Sequence, residues 1–255
     1  MRVAGASAII TGGASGLGAA CARILAEAGA KVTILDLDAT RGTETASACG
    51  GRFEPTDVRD EAAVGRALDG AEQAHGAPRI LVNCAGVPGA GARVSSRRGP
   101  HSREAFEHIM SVHAFGTFNV MRLCAGRMTA APALDDGERG VIVNTSSIVA
   151  ADGPVGMIAY AAAKGATEAM TLPAARDLGP AGIRVACIAA GSFATPMLET
   201  MPPEMRERNL MLQPFPKRAG APEEFAALVK HICENPMING AVLRLDGAQR
   251  LHIVS

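Results

Sequence analysis

Seven short runs rich in β-branched residues punctuate this chain, and most are separated by longer, alanine-rich stretches. The runs are Ser7–Thr11, Lys31–Leu35, Arg52–Glu54, Ile80–Asn83, Val141–Thr145, Arg184–Ile188 and Ala241–Leu245. The stretches of helical composition are Leu17–Ala28, Glu61–His75, Arg103–Met128, Val155–Leu178 and Pro222–Glu234. Strands that are apolar throughout must be buried on both faces, and parallel strands need a crossover long enough to hold a helix. The alternation therefore predicts an α/β fold: a parallel sheet covered by helices on both faces.

At 255 residues, with 48% hydrophobic and 20% charged residues, the chain can bury a substantial core. No linker composition or repeat divides it, so residues 1–255 read as one domain. Two glycine- or proline-rich excursions interrupt the rhythm, an insert at 88–102 and a segment at 191–220, and both read as functional loops. Lys+Arg and Asp+Glu balance at 25 each. Such a chain has no electrostatic footprint for nucleic acid or an anionic membrane. No apolar run reaches the roughly 20 residues of a membrane span. The first residues enter strand-like sequence without a targeting segment, and a cytoplasmic location is expected. The six cysteines are scattered and read as buried free thiols, and the histidines show no ligand spacing, so no metal is expected.

The first strand runs into TGGASGLG, residues 11–18, in which Gly12, Gly16 and Gly18 open a helix. Glycines let the backbone turn sharply against a pyrophosphate, and the helix N-terminus offers free N–H groups and a partial positive charge. Asp36 ends the second strand, where a carboxylate accepts hydrogen bonds from ribose hydroxyls and repels a 2′-phosphate. No basic residue stands at Ser15 or Leu37, although Arg41 is nearby. NAD is therefore favoured over NADP.

Tyr160 is the only tyrosine in the chain, and Lys164 follows four residues later on the same predicted helix face. Ser147 ends the strand VIVNTSS. Oxidation of a secondary alcohol needs a base for the hydroxyl proton while hydride leaves for a nicotinamide. A free phenol, with a pKa of about 10, is too weakly acidic for that role near neutrality. An adjacent ammonium and a cationic ring would favour the phenolate, and a shift of about 3 units corresponds to about 4 kcal/mol. Ser147 would hold the substrate oxygen as charge develops on it.

TGGASGLG, NCAG (83–86), Ser147 with YAAAK (160–164), and GSFATP (191–196) together resemble the short-chain dehydrogenase/reductase family over essentially the whole chain. The resemblance implies a single Rossmann-type, doubly wound parallel sheet of seven strands, NAD as cofactor, and a homotetramer. It implies catalysis by Ser147, Tyr160 and Lys164, with Lys164 also on the nicotinamide ribose. Ser15 and Leu17 would join the glycine turn in holding the cofactor, and Asp57 and Val58 would hold the adenine. Asn83, Cys84, Ala85 and Gly86 would contribute from the NCAG loop, Cys84 by its backbone. Phe193 and Thr195 would hold the nicotinamide end.

HAFGTFNVMRL, TLPAARDLGPAGIRV, PFPKRAGAPEEFA and ENPMINGAVLRLDGA, with the 88–102 insert, resemble the type-2 3-hydroxyacyl-CoA dehydrogenase branch, whose members also oxidise hydroxysteroids. Three readings stay open: a 3-hydroxyacyl-CoA dehydrogenase, a dehydrogenase for steroids or other bulky apolar alcohols, and a weakly active NAD-binding regulatory protein. Arg93, Arg97, Arg98, His101 and Arg103 of the insert suit coenzyme A phosphates or a merely solvated basic loop. Met197, Leu198, Met201, Met205, Leu210, Met211 and Leu212 suit an apolar substrate under a lid at 191–220, or simple packing of that lid. The C-terminal run RLHIVS is a candidate for burial against a partner.

Two departures from the family pattern stand out. His113 occupies the place of an asparagine that positions a water beside the lysine; it would hold that water, relay protons near its ordinary pKa of about 6.5, or simply pack. Ala190 replaces a proline before Gly191, which predicts a looser start to the 191–220 segment.

Overall fold

The computed structural model describes residues 1–89 and 91–251. The first half runs β1 (Ser7–Thr11), α1 (Gly16–Glu27), β2 (Lys31–Asp36), α2 (Ala39–Ala48), β3 (Arg52–Pro55), α3 (Glu61–His75) and β4 (Pro78–Asn83). A hairpin of β5 (Ser95–Ser96) and β6 (Gly99–Pro100) follows, then α4 (Arg103–Met110) and α5 (Thr117–Ala130). The remainder is β7 (Gly140–Ser147), α6 (Val149–Asp152), α7 (Ile158–Leu178), β8 (Ile183–Ala190), α8 (Pro196–Glu199), α9 (Pro203–Met211), α10 (Pro222–Glu234) and β9 (Val242–Leu245).

The seven-stranded sheet has the order β3-β2-β1-β4-β7-β8-β9, and every pair in it is parallel. The expected Rossmann-type sheet is thus present. The chain winds outward from β1 to β3, then crosses back to β4 beside β1. At that reversal the connections after β1 and β4 leave in opposite directions, and a crevice opens at the carboxyl ends of the strands.

Adjacent strand residues serve opposite cores, which is why the runs show no polar alternation. Ile10, Val82 and Val143 pack with Leu25 of α1 and Phe225 and Val229 of α10. Ile9, Leu81 and Ile142 pack with Leu68, Val120 and Met128 of α3 and α5 on the other face. Phe225 is fully buried. Phe225→Ala is expected to cost about 3–5 kcal/mol, measured by urea unfolding, with loss of less than about 1 kcal/mol arguing against this core.

Three expectations need correction. The single helix expected over Arg103–Met128 is two helices joined by a π-helical segment, Ser111–Gly116. Periodicity cannot reveal one extra residue in a turn, and such π segments collect at functional sites. α2 escaped notice because ATRGTETASA is polar and β-branched; Asp38 caps it by accepting from the Arg41 N–H at 3.0 Å. The stretch expected to start at Val155 starts as a helix at Ile158, after left-handed Gly153 and Gly156. The C-terminal run RLHIVS lies outside the described residues from His252 onward. Among the described residues no helix is long and apolar enough to cross a membrane.

Candidate active site

The glycine turn closes on itself. A Cβ on Gly18 would lie 2.2 Å from the Gly12 carbonyl oxygen, and one on Gly12 would lie 2.7 Å from the Ala85 nitrogen. Gly12 and Gly16 have φ of 65° and 53°, which glycine adopts without penalty. Ser15 caps α1 in position but makes no side-chain bond to it, so the first helical N–H groups stay available to an anion. Ser15 and Leu17 are half-buried at this mouth. The Asp36 carboxylate is locked at its rim: Oδ2 accepts from the Ala14 N–H and Oδ1 from the Asp38 N–H, each at 3.0 Å.

Asp57 lies beyond β3, gripped by Arg59 at 2.6 Å, and hydrogen bonding from that guanidinium holds its carboxyl below the usual range. Val58 is buried and its carbonyl accepts from Asn119 Nδ2 at 2.9 Å. On the opposite wall the Thr195 side chain packs against Gly16, and Phe193 makes an edge contact with Phe225 at 5.9 Å.

The NCAG loop is fastened to the turn by a residue the sequence reading missed. Thr11 Oγ1 accepts from the N–H groups of Cys84 and Ala85, each at 3.1 Å. Asn83 is buried and donates to Asn144 Oδ1 at 2.9 Å, while the Cys84 thiol touches Thr145 Oγ1 at 3.4 Å. Both side chains therefore hold strands together and leave the loop backbone to face the crevice. Gly86 leaves room for His113, whose Cε1 would be 2.5 Å from any Cβ there.

Ser147 closes β7, and Tyr160 and Lys164 occupy successive turns at the start of α7, so a strand end and a helix face converge on the crevice. Lys164 is buried, donates to the Thr145 carbonyl at 2.8 Å and lies 5.6 Å from the Tyr160 ring centroid. Burial pushes Lys164 down to about 8. Tyr160 is half-buried; burial pushes the phenol up to about 12, and the neighbouring Ser147 hydroxyl opposes this. The expected lowering of the phenol draws on a bound nicotinamide ring as well as on the lysine; the chain's own groups by themselves raise it. Without that ring, desolvation of the phenol dominates, and the ammonium is directed at the Thr145 carbonyl.

His113 sits in the π segment, almost wholly buried. Its Nε2 lies 2.9 Å from the Val87 carbonyl oxygen and 3.1 Å from the Val87 nitrogen, and its ring meets Tyr160 edge-on at 5.1 Å. Burial and the charge of Lys164 push it down to about 3. That shift favours a neutral ring against Tyr160. Ala190 ends β8 between Ser147 and Leu245, and its carbonyl accepts from the Ile148 N–H at 3.0 Å. The sheet thus reaches the start of the 191–220 segment.

The insert begins against the same tyrosine. A Cβ on Gly89 would meet Tyr160 Cβ at 3.1 Å, and Ala92 bridges Met157. Arg93, Arg97 and Arg98 are exposed on this hairpin. Met197, Met205 and Met211 are exposed, while Leu198, Met201, Leu210 and Leu212 are half-buried.

A glycine turn at the switch point, an acid at the second strand end, and a half-buried serine and tyrosine beside a buried lysine together define an oxidoreductase that uses a nicotinamide dinucleotide. The short-chain dehydrogenase model matches residues 6–206, and the chain belongs to that family. It is 46% identical to 3-hydroxyacyl-CoA dehydrogenase type-2 of Drosophila melanogaster, covering 96% of this chain and 98% of that protein. The human protein of the same name is also 46% identical, over 98% of this chain and 97% of its own. The crystal structure of 3-hydroxyacyl-CoA dehydrogenase type-2 from Mycobacterium avium superposes with a TM-score of 0.93 at 42% identity, covering 97% of each chain.

Proposed function

We propose that this chain is an NAD-dependent 3-hydroxyacyl-CoA dehydrogenase. The observation that carries the reading is its full-length likeness to relatives of that name. The glycine turn and Ser15 and Leu17 would hold the pyrophosphate. Asp36 would bind the ribose, and Asp57 and Val58 the adenine. The backbone of Asn83 to Gly86, with Phe193 and Thr195, would hold the nicotinamide end. Bound nicotinamide supplies the hydride acceptor and, when oxidised, a positive ring. Ser147 holds the substrate oxygen, and Tyr160 moves the proton at its own oxygen. Lys164, fixed by Thr145, presents its charge to the ribose and the crevice. His113 acts by position, as an uncharged edge against the phenol ring.

A phenol with a pKa well above neutrality is a better acid than base at pH 7. Ketone reduction should therefore change little between pH 7 and pH 9, while alcohol oxidation, which needs the phenolate, should be faster at pH 9 than at pH 7. Steady-state pH profiles in both directions check this, and parallel profiles would contradict it. Asp36→Ala should shift the kcat/KM preference toward NADP by about tenfold or more, about 1.4 kcal/mol. An unchanged ratio would remove Asp36 from cofactor choice.

The substrate is tested by NADH oxidation with acetoacetyl-CoA beside NAD reduction with hydroxysteroids. Turnover of the steroids alone would favour the second reading, which rests on the exposed methionines of 191–220, the proposed lid. Reversing the charge of Arg97 and Arg98 should raise KM for the CoA substrate if the insert binds its phosphates. A homotetramer accords with exposed Phe115, Phe118 and Leu172 and with β9 at a sheet edge. Light scattering of the purified chain tests it. Six free thiols among the described residues accord with a cytoplasmic location.

A further inference from the structure

Ala248 is the only non-glycine residue of positive φ among the described residues, at 63°, and Gly247 before it has φ of 58°. An alanine takes this conformation only where its surroundings over-determine it. The place of the missing Gly247 side chain is filled by Gln213, whose Nε2 would be 2.5 Å from a Cβ. The loop is bolted down on its other side. Asp246 accepts from the Ala248 N–H at 3.0 Å and pairs with Arg244, which also reaches Asp152 at 3.0 Å.

The two left-handed residues drive the next side chain inward. Gln249 is fully buried, and both ends of its amide are used. Its Oε1 accepts from the Ser192 hydroxyl at 3.1 Å and the Ser192 N–H at 3.3 Å. Its Nε2 donates to the Asn209 carbonyl at 2.7 Å. Ser192 precedes Phe193 at the start of the 191–220 segment, and Asn209 lies in the last turn of α9. One amide thus ties the two ends of the segment that carries α8 and α9. Those helices pack lightly, because neither fully buries a residue. Few apolar contacts mean a low cost of local opening, so a buried amide with both ends satisfied decides whether the segment lies down.

We infer that Gln249 is a positioning residue for the substrate: it clasps the 191–220 lid onto the body and thereby sets the length of acyl chain the crevice accepts. The substrate part rests on the dehydrogenase reading proposed above; the clasp itself does not. The test compares Gln249→Ala and Gln249→Glu with the parent in hydrogen exchange and in turnover of four-carbon and longer acyl-CoA substrates. Glutamate keeps the bond from Ser192 but loses the donation to Asn209.

Gln249→Ala should speed amide exchange over 196–211 by about tenfold or more with β7 and β8 unchanged, and Gln249→Glu should fall between it and the parent. KM for substrates of ten or more carbons should rise about fivefold, with the four-carbon KM and every kcat within about threefold. Unchanged exchange over 196–211 in both variants, or an equal rise in KM at every chain length, would overturn the inference. Should Gln249→Ala fail to fold, Gln249→Glu and Ser192→Ala read the same quantities. Faster exchange in a protein that turns over no acyl-CoA would keep the clasp and dismiss the substrate.

Discussion

Tyr160→Phe should lower kcat by about 10²- to 10⁴-fold and leave dinucleotide affinity within about threefold. The substitution removes one oxygen and keeps the ring, so the edge contact with His113 at 5.1 Å survives. Tyr160 is the only tyrosine in the chain, and the neighbouring Ser147 has a hydroxyl far too weakly acidic to exchange a proton at that place near neutrality. The remaining candidates fail on geometry or charge. His113 is neutral and bound to Val87, and Lys164 is directed at the Thr145 carbonyl. Steady-state absorbance at the reduced nicotinamide band gives kcat, and calorimetric titration gives the affinity. Retained turnover in the phenylalanine variant would dismiss the tyrosine as proton carrier, and with it the proposed chemistry.

Gly18→Ala should weaken dinucleotide binding by about 30-fold or more, equivalent to about 2 kcal/mol. The new methyl would meet the Gly12 carbonyl oxygen at 2.2 Å, a backbone atom that no rotamer change can move aside. Relief requires the turn to open, which pulls Gly12 from its close approach to Ala85 and shifts the N–H groups at the head of α1. Overpacking of this kind costs about 1–3 kcal/mol or more in stability, so a lower Tm should accompany the loss. Parent affinity at parent Tm would show that the turn tolerates a side chain and does not cradle the phosphates closely.

Much of the site could be read from local pattern. TGGASGLG, Asp36, Ser147 and YAAAK are short and carry their chemistry in residue type and spacing, and the crevice brings them together. Asn83 and Cys84 were legible as part of a motif, but only their neighbours in β1 and β7 show that their side chains hold strands. Thr11 and Thr145 left no trace as supports, because a threonine in a strand looks the same whether or not it carries a neighbour. Gln249 was silent for a similar reason: a glutamine near a C-terminus reads as solvated until a strained turn buries it.

The alternation of apolar runs with helical stretches determined the parallel sheet, since double-sided burial and crossover length are demands each segment makes on its own. The glycine turn was equally determined, because only residues without a Cβ can make it. Charge states and fastenings were decided by tertiary structure alone. The raised phenol, the neutral His113 and the clasp of Gln249 depend on how much water is excluded by residues distant in the chain, and desolvation is a property of the assembled fold.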